Sequence, residues 1–172
     1  DALIDGIHCD EPVTGTLMGQ CWTAVETSSR FGMAMTTPVD TAPRMLDRDY
    51  CGMSLKELAT VAKSWNLTEA GFGMAAVNAF YNTPARLEQL EAYEPFDNYC
   101  TDGIDLKDKR IGVIGHLNMP ASVYGQAKEV LILERNPRPG DYPDSACDWI
   151  LPQCDVVIMT ASTLVNKTLP HL

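Results

Sequence analysis

The spacing of apolar residues changes twice along the chain, and the changes divide it. From Leu17 to Glu26 the sequence is rich in β-formers around Cys21, Trp22 and Val25. Thr27-Ser28-Ser29-Arg30 supplies turn chemistry, and Phe31 to Thr37 alternates large and small residues. This pattern predicts a β-hairpin over 17–37. Pro38 to Tyr50, with two prolines and several charges, reads as loop. Ser54 followed three residues later by Glu57 is a capping box, and Leu55, Leu58, Ala59 and Ala62 form an apolar stripe at helical spacing. A second helix is predicted from a cap at Thr68 to about Tyr81. Its Gly71, Gly73, Ala75, Ala76 and Ala79 suit close packing, most simply on the sheet of the hairpin. Pro84 to Tyr93 is a weaker helical segment. Hairpin followed by helices makes an α+β unit.

Beyond Asp108 the period disappears. Arg110 to Gly115, Glu129 to Glu134 and Asp155 to Thr160 each hold a continuous run of β-branched and aliphatic residues. Such runs suit strands buried on both faces of a parallel sheet. Helical segments fall between them, near Ser122 to Lys128 and Asp144 to Leu151, so right-handed β-α-β units follow. The fold class expected is therefore α/β, an α+β unit over 1–93 and a parallel sheet over 109–172, joined by an acidic linker over 94–108. A doubly wound sheet normally has more strands than the three read here. The chain is accordingly expected to be truncated at its C-terminal side, and its start at Asp1 leaves room for a missing N-terminal piece.

Composition narrows the function classes. The 172 residues carry 23 acidic and 13 basic side chains, for a net charge of −10. That sign disfavours nucleic-acid backbones and anionic membrane surfaces. It is compatible with a cationic ligand and equally with simple solubility. No apolar run approaches the ~20 residues that span a bilayer. The six cysteines, Cys9, Cys21, Cys51, Cys100, Cys147 and Cys154, are scattered without a C-x-x-C pair. This points to reduced thiols and a cytoplasmic location rather than a disulfide scaffold or a zinc site.

Ligands of parallel α/β sheets bind beyond the carboxyl ends of the strands, which singles out three turns. In Gly115-His116-Leu117-Asn118-Met119-Pro120, Gly115 allows a tight turn and His116 is a ligand or proton carrier, or a plain surface residue. The glycines do not form G-x-G-x-x-G, so a dinucleotide is poorly supported. Glu134 closes the second strand 19 positions after Gly115, where ribose hydroxyls are held in nucleotide-binding sheets, or it is a solvated strand-end carboxylate. Thr160 to Thr168 places several hydroxyls at a helix start, which fits an anion, or a cap using one of them. Asp144 is expected to cap the following helix, which would leave Asp141 free for a ligand.

These segments together resemble a known family. Gly112-Val113-Ile114-Gly115-His116, Glu134-Arg135-Asn136-Pro137 with Gly140-Asp141-Tyr142-Pro143-Asp144, and Ser162-Thr163-Leu164-Val165-Asn166-Lys167-Thr168-Leu169 are similar to the bacterial and archaeal domain-of-unknown-function family described as "putative heavy-metal chelation" proteins. Gly32-Met33-Ala34-Met35-Thr36-Thr37 and Ala76-Val77-Asn78-Ala79 resemble the enolase N-terminal-like domain that precedes the Rossmann-like domain there. The resemblance implies a cleft between the two domains that handles a metal or a metal-chelating small molecule. It implies ligand-binding roles for Thr37, Asn78, Glu134, Ser162, Thr163, Asn166 and Thr168, and metal ligation by His116, Glu134 and Asp141.

Three readings stand at this stage. The first is a metal- or chelate-binding protein, in which a divalent or heavy metal meets His116, Glu134 and Asp141. The second is an enzyme using a nucleoside cofactor, such as S-adenosylmethionine, at Glu134. The third is a non-catalytic interaction protein. A homo-oligomer is compatible with each.

Overall fold

A computed structural model describes residues 1–37, 41–46, 48–88, 104–118 and 121–172, with the side chains of Leu87, Ser122 and Val123 set aside. The chain divides into two compact units, Asp1–Glu91 with Leu164–Lys167, and Ala92–Thr163 with Thr168–Leu172.

The first unit opens with a short helix, α1 (Ala2–Asp5), and a three-stranded antiparallel sheet in the order β1 (Val13–Met18), β2 (Trp22–Thr27), β3 (Phe31–Met35). The sequence predicted two strands here, and the structure corrects this to three. Leu17 to Glu26 is not one strand: Gly19-Gln20-Cys21 turns the chain, with the Gly19 N–H donating to the Trp22 carbonyl at 2.8 Å. The register of β2 on β3 runs from Trp22 opposite Met35 to Glu26 opposite Phe31. Thr23, Val25, Thr27, Gly32 and Ala34 are buried on one face.

Two helices close that face. Ser54 caps α2 (Leu55–Ala59), its Oγ accepting from the Glu57 N–H at 3.1 Å. A 3-10 turn over Thr60–Lys63 leads on to α3 (Leu67–Tyr81). The cap of α3 is Asn66 and not Thr68: Asn66 Oδ1 accepts from the Glu69 N–H at 3.0 Å. Either residue type can cap. Thr68 lies one residue inside the helix, and its hydroxyl donates to the Thr37 carbonyl at 3.4 Å. The small residues of α3 act as expected. A Cβ at Gly32 would overlap the Ala75 carbonyl and Ala79 nitrogen, and one at Gly73 would overlap the backbone of Ala62. Helix and strand therefore meet backbone to backbone around Ile7, Val13, Val25, Leu55, Leu58 and Val61. α4 (Pro84–Leu87) follows. α4 is the described start of the helical segment expected over Pro84 to Tyr93; its remainder beyond Glu88 and most of the expected linker lie outside the described residues.

The second unit is a parallel sheet built from β4 (Arg110–Ile114), α5 (Ala121–Tyr124), β5 (Glu129–Glu134), β6 (Tyr142–Pro143), α6 (Cys147–Ile150), β7 (Val156–Ile158) and α7 (Ser162–Val165). The order is β6-β5-β4-β7, all neighbours parallel. The two-residue β6 is a fourth strand where the sequence pattern predicts three. Leu106, Ile111 and Val113 pack with Val130, Ile132 and Val156 on one side of the sheet. Leu133, Cys147 and Leu151 pack with Ile114, Ile150 and Val157 on the other. Burial on both faces is why these strands lack polar alternation. Asp144 is the first residue of a 3-10 turn, caps nothing with its side chain, and pairs with Arg135 at 3.6 Å.

Candidate functional site

The strand order places the switch of winding direction between β4 and β7, with the first strand of the unit inside the sheet. Loops that leave neighbouring strands in opposite directions open a crevice beyond their carboxyl ends. The loops after β4 and β5 and the turn before β6 bring three of the sequence candidates together at the carboxyl ends of the strands, on the β5 side of β4.

Gly115 ends β4 with φ +86°, a conformation that side chains rarely adopt, and its N–H donates to the Leu133 carbonyl at 2.9 Å. That turn delivers His116 beside the last residue of β5. The His116 backbone N–H donates to Glu134 Oε2 at 3.1 Å, and its Nδ1 lies 3.2 Å from the same oxygen. On the far side of the ring, Nε2 meets Asp141 Oδ2 at 2.8 Å. One imidazole thus stands between two carboxylates contributed by two other segments.

Both carboxylates are organised by backbone as well. Glu134 Oε1 accepts the N–H groups of Arg135 at 2.7 Å and Asn136 at 3.3 Å. Burial alone would push its carboxyl up. The N–H groups of Asn136, His116 and Arg135, with the charge on His116, outweigh this and hold it below its ordinary value. Asp141 is likewise held low, first by the Arg138 N–H at 2.7 Å and then by His116, against a smaller opposing effect of burial. The expectation of a free Asp141 is therefore corrected: Arg138 and His116 share its Oδ2.

The three expected metal ligands meet around the ring, and not around a common point. Among the described residues no group of three or more His, Cys, Asp or Glu side chains is arranged to hold one ion. His116 Nε2 and Asp141 Oδ2 hydrogen-bond each other, with Glu134 on the Nδ1 side of the ring. A carboxylate behind a histidine is the usual support of a metal-ligating imidazole.

The remaining candidates sit on other segments of the chain. Asn78 Nδ2 donates to the Met33 carbonyl at 2.7 Å in the first unit, where it fastens α3 to β3. Thr37 follows β3 and offers its carbonyl to Thr68. After β7, the Thr160 and Ser162 hydroxyls bond each other, and Thr163 Oγ1 donates to the Thr160 carbonyl at 2.8 Å. The Thr168 N–H closes that turn on the Thr163 carbonyl at 3.1 Å, and Asn166 falls in the segment that groups with the first unit. The hydroxyls of Ser162 and Thr163 thus serve their own turn.

Sequence reasoning missed two polar clusters in the first unit. Glu69, fully buried, accepts the N–H groups of Met45 at 2.6 Å and Leu46 at 2.9 Å. Glu11 accepts the hydroxyls of Thr27 at 2.7 Å and Ser29 at 2.8 Å, and pairs with Arg30 Nε at 3.1 Å. The hydroxyl-rich turn Thr27-Ser28-Ser29 was the signal that could have revealed the second.

Fold and cluster together define a mixed α/β protein with an antiparallel three-stranded sheet and a parallel four-stranded sheet. Two family profiles, both described as "putative heavy-metal chelation", match residues 1–81 (DUF4213) and 102–172 (DUF364). A crystal structure of a DUF364-family protein of unknown function from Desulfitobacterium hafniense DCB-2 is 34% identical, with a TM-score of 0.82, over 99% of this chain and 69% of that one. Another from Pyrococcus horikoshii is 29% identical, with a TM-score of 0.71, over 98% of this chain and 69% of that one. The chain belongs to the DUF364 family, as the resemblance implied. No protein of curated function matches it. No helix among the described residues is long and apolar enough to cross a membrane.

Proposed function

We propose that the chain binds a divalent metal, carried by a small chelating molecule, at the carboxyl ends of its parallel strands. The carrying observation is the imidazole of His116 between Glu134 and Asp141. His116 Nε2 and Asp141 Oδ2 would hold the ion, and Glu134 would fix the ring through Nδ1. One nitrogen and one carboxylate oxygen suit a borderline or hard divalent ion. A bound ion there would supply positive charge to gather anionic donor groups. Two protein donors leave positions for those of a chelator, which suits a protein that handles a metal complex better than one built around a structural ion.

Calorimetric titration with Zn²⁺ or Co²⁺ tests this, alone and with a simple chelator such as citrate. His116→Ala and Asp141→Asn should abolish binding, while Glu134→Gln should weaken it about 10- to 100-fold, as loss of an orienting carboxylate does. Undiminished affinity in His116→Ala would overturn the reading.

The competing reading is a nucleoside cofactor on Glu134, favoured by the strand order. Three backbone N–H groups already held by that carboxylate weigh against it. Binding of S-adenosylmethionine that Glu134→Ala removes and His116→Ala spares would decide for the nucleoside.

A further inference from the structure

The antiparallel sheet has a second face. Its strands alternate, and the residues opposite the buried set are Leu17 on β1, Trp22 and Ala24 on β2, and Phe31, Met33 and Met35 on β3. The register places Leu17 and Met33 on either side of Ala24, and Met35 beside Trp22. These side chains are large, apolar and open: Leu17 is 68% exposed, Trp22 53%, Phe31 56%, Met33 43% and Met35 50%. Ala24 is 8% exposed although it belongs to no core cluster, because its larger neighbours cover it. Outward positions of a half-buried antiparallel sheet are ordinarily polar. Here Glu26, at one end of the face, is its only charged residue.

We infer that this face pairs with the same face of a second copy, sheet against sheet, about a two-fold axis. Two observations select that occupant. The first is area. At about 200 Å² for each fully exposed side chain, the five exposures amount to roughly 500 Å², so two copies would cover about 1,000 Å² before any rim is counted. That reaches the lower bound of a specific interface, and one apolar patch of this size is self-complementary in an isologous pair. The second is charge. A chain of net charge −10 repels its own copy, so self-association needs a contact surface nearly free of charge. The Leu17–Trp22–Met35 end of the sheet is such a surface. The outer edge of β3 is not available for strand addition at Met33, whose carbonyl already accepts Asn78 Nδ2. Face packing is the geometry left to β3 there, at the ~10 Å separation typical of stacked sheets.

Sedimentation velocity on the full chain, over about 1 to 100 µM, reads the pairing directly. The wild type should pass from one to two copies in that range. The transition should tighten between about 10 mM and 150 mM salt, because screening weakens the repulsion between like-charged copies. Trp22→Glu and Met33→Glu should each raise the dissociation constant at least about tenfold, as loss of a central interface anchor does. Trp65→Ser, at a still more exposed tryptophan off the face, should leave it unchanged. Circular dichroism checks the fold of each variant, and Leu17→Lys at the other edge carries the test if Trp22→Glu unfolds. A wild type that stays single at all concentrations overturns the inference. So does a dimer that survives both face variants, or one that Trp65→Ser disrupts equally.

Discussion

Glu69 in the first unit and Glu134 in the second are both carboxylates that accept backbone N–H groups, and they differ in what else they touch. Glu69 is fully buried and its partners, Met45, Leu46 and Tyr50, belong to the loop that covers it. Glu134 is part-exposed at a strand end and shares its second oxygen with a histidine that faces another carboxylate. In the first case both oxygens serve to fix a loop, and the side chain is closed to solvent. In the second the same loop-fixing N–H groups leave a titratable ring between two anions within reach of water. A buried polar group with backbone partners therefore reads as architecture, and facing titratable groups at a strand end read as a site.

The comparison breaks most sharply if the architectural side is attacked at its tightest point. Gly32→Val would drive a side chain into the backbone of Ala75 and Ala79, where nothing flexible can give way. The expected loss is about 3 kcal/mol or more, the upper range for overpacking. Urea unfolding should show the first unit destabilised or unfolded, and wild-type stability in this variant would mean that α3 does not sit on β3 as described.

A smaller effect sharpens the contrast between the two glutamates. Glu69→Ala takes the carboxylate partner from the Met45 and Leu46 N–H groups and empties the space of a fully buried side chain, for about 2–3 kcal/mol. Glu134→Ala removes three N–H partners as well, but at a wet strand end those groups turn to solvent, and about 1 kcal/mol is expected. Denaturation midpoints of the two variants check the order. Equal losses would show that the strand-end carboxylate is as architectural as the buried one.

How much of this was legible beforehand follows from where each residue's partners lie. β4, β5 and β7 were readable because burial on both faces leaves an unbroken apolar run. The Ser54 cap was readable because its partner is three residues away. β1 was missed because it is half exposed, contains Gly15 and carries a register irregularity after Val13, so no alternation survives. Asn66 lost to Thr68 because two adequate capping residues sit two apart. At the strand ends, the positions of His116 and Glu134 followed from the general rule for parallel sheets. Their mutual contact did not, since the partners are 18 and 25 residues apart and meet only once the sheet has its register. Glu69 looked like a first-turn acid complementing the helix dipole. Its burial depends on a loop more than twenty residues upstream folding over it.

The finest test concerns Glu11, which stands between the two cases. Its hydroxyl partners Thr27 and Ser29, then Arg30, hold its carboxyl down to about 2, against the opposing effect of burial. The folded value lies below the ordinary 4.5, so the stabilisation is fully present above pH 4.5 and is lost as pH falls toward 2. Glu134 and Asp141 shift in the same direction, so acid should loosen the His116 cluster with the same sign. Glu11→Gln separates the contributions. Its stability deficit against wild type should be largest at neutral pH, under about 1 kcal/mol because the cluster is partly open to solvent, and should vanish near pH 2. If the deficit instead persists unchanged at pH 2, the neutral hydrogen bonds of the Thr27–Ser29 turn, and not the charge on Glu11, are what hold the hairpin to the N-terminal segment.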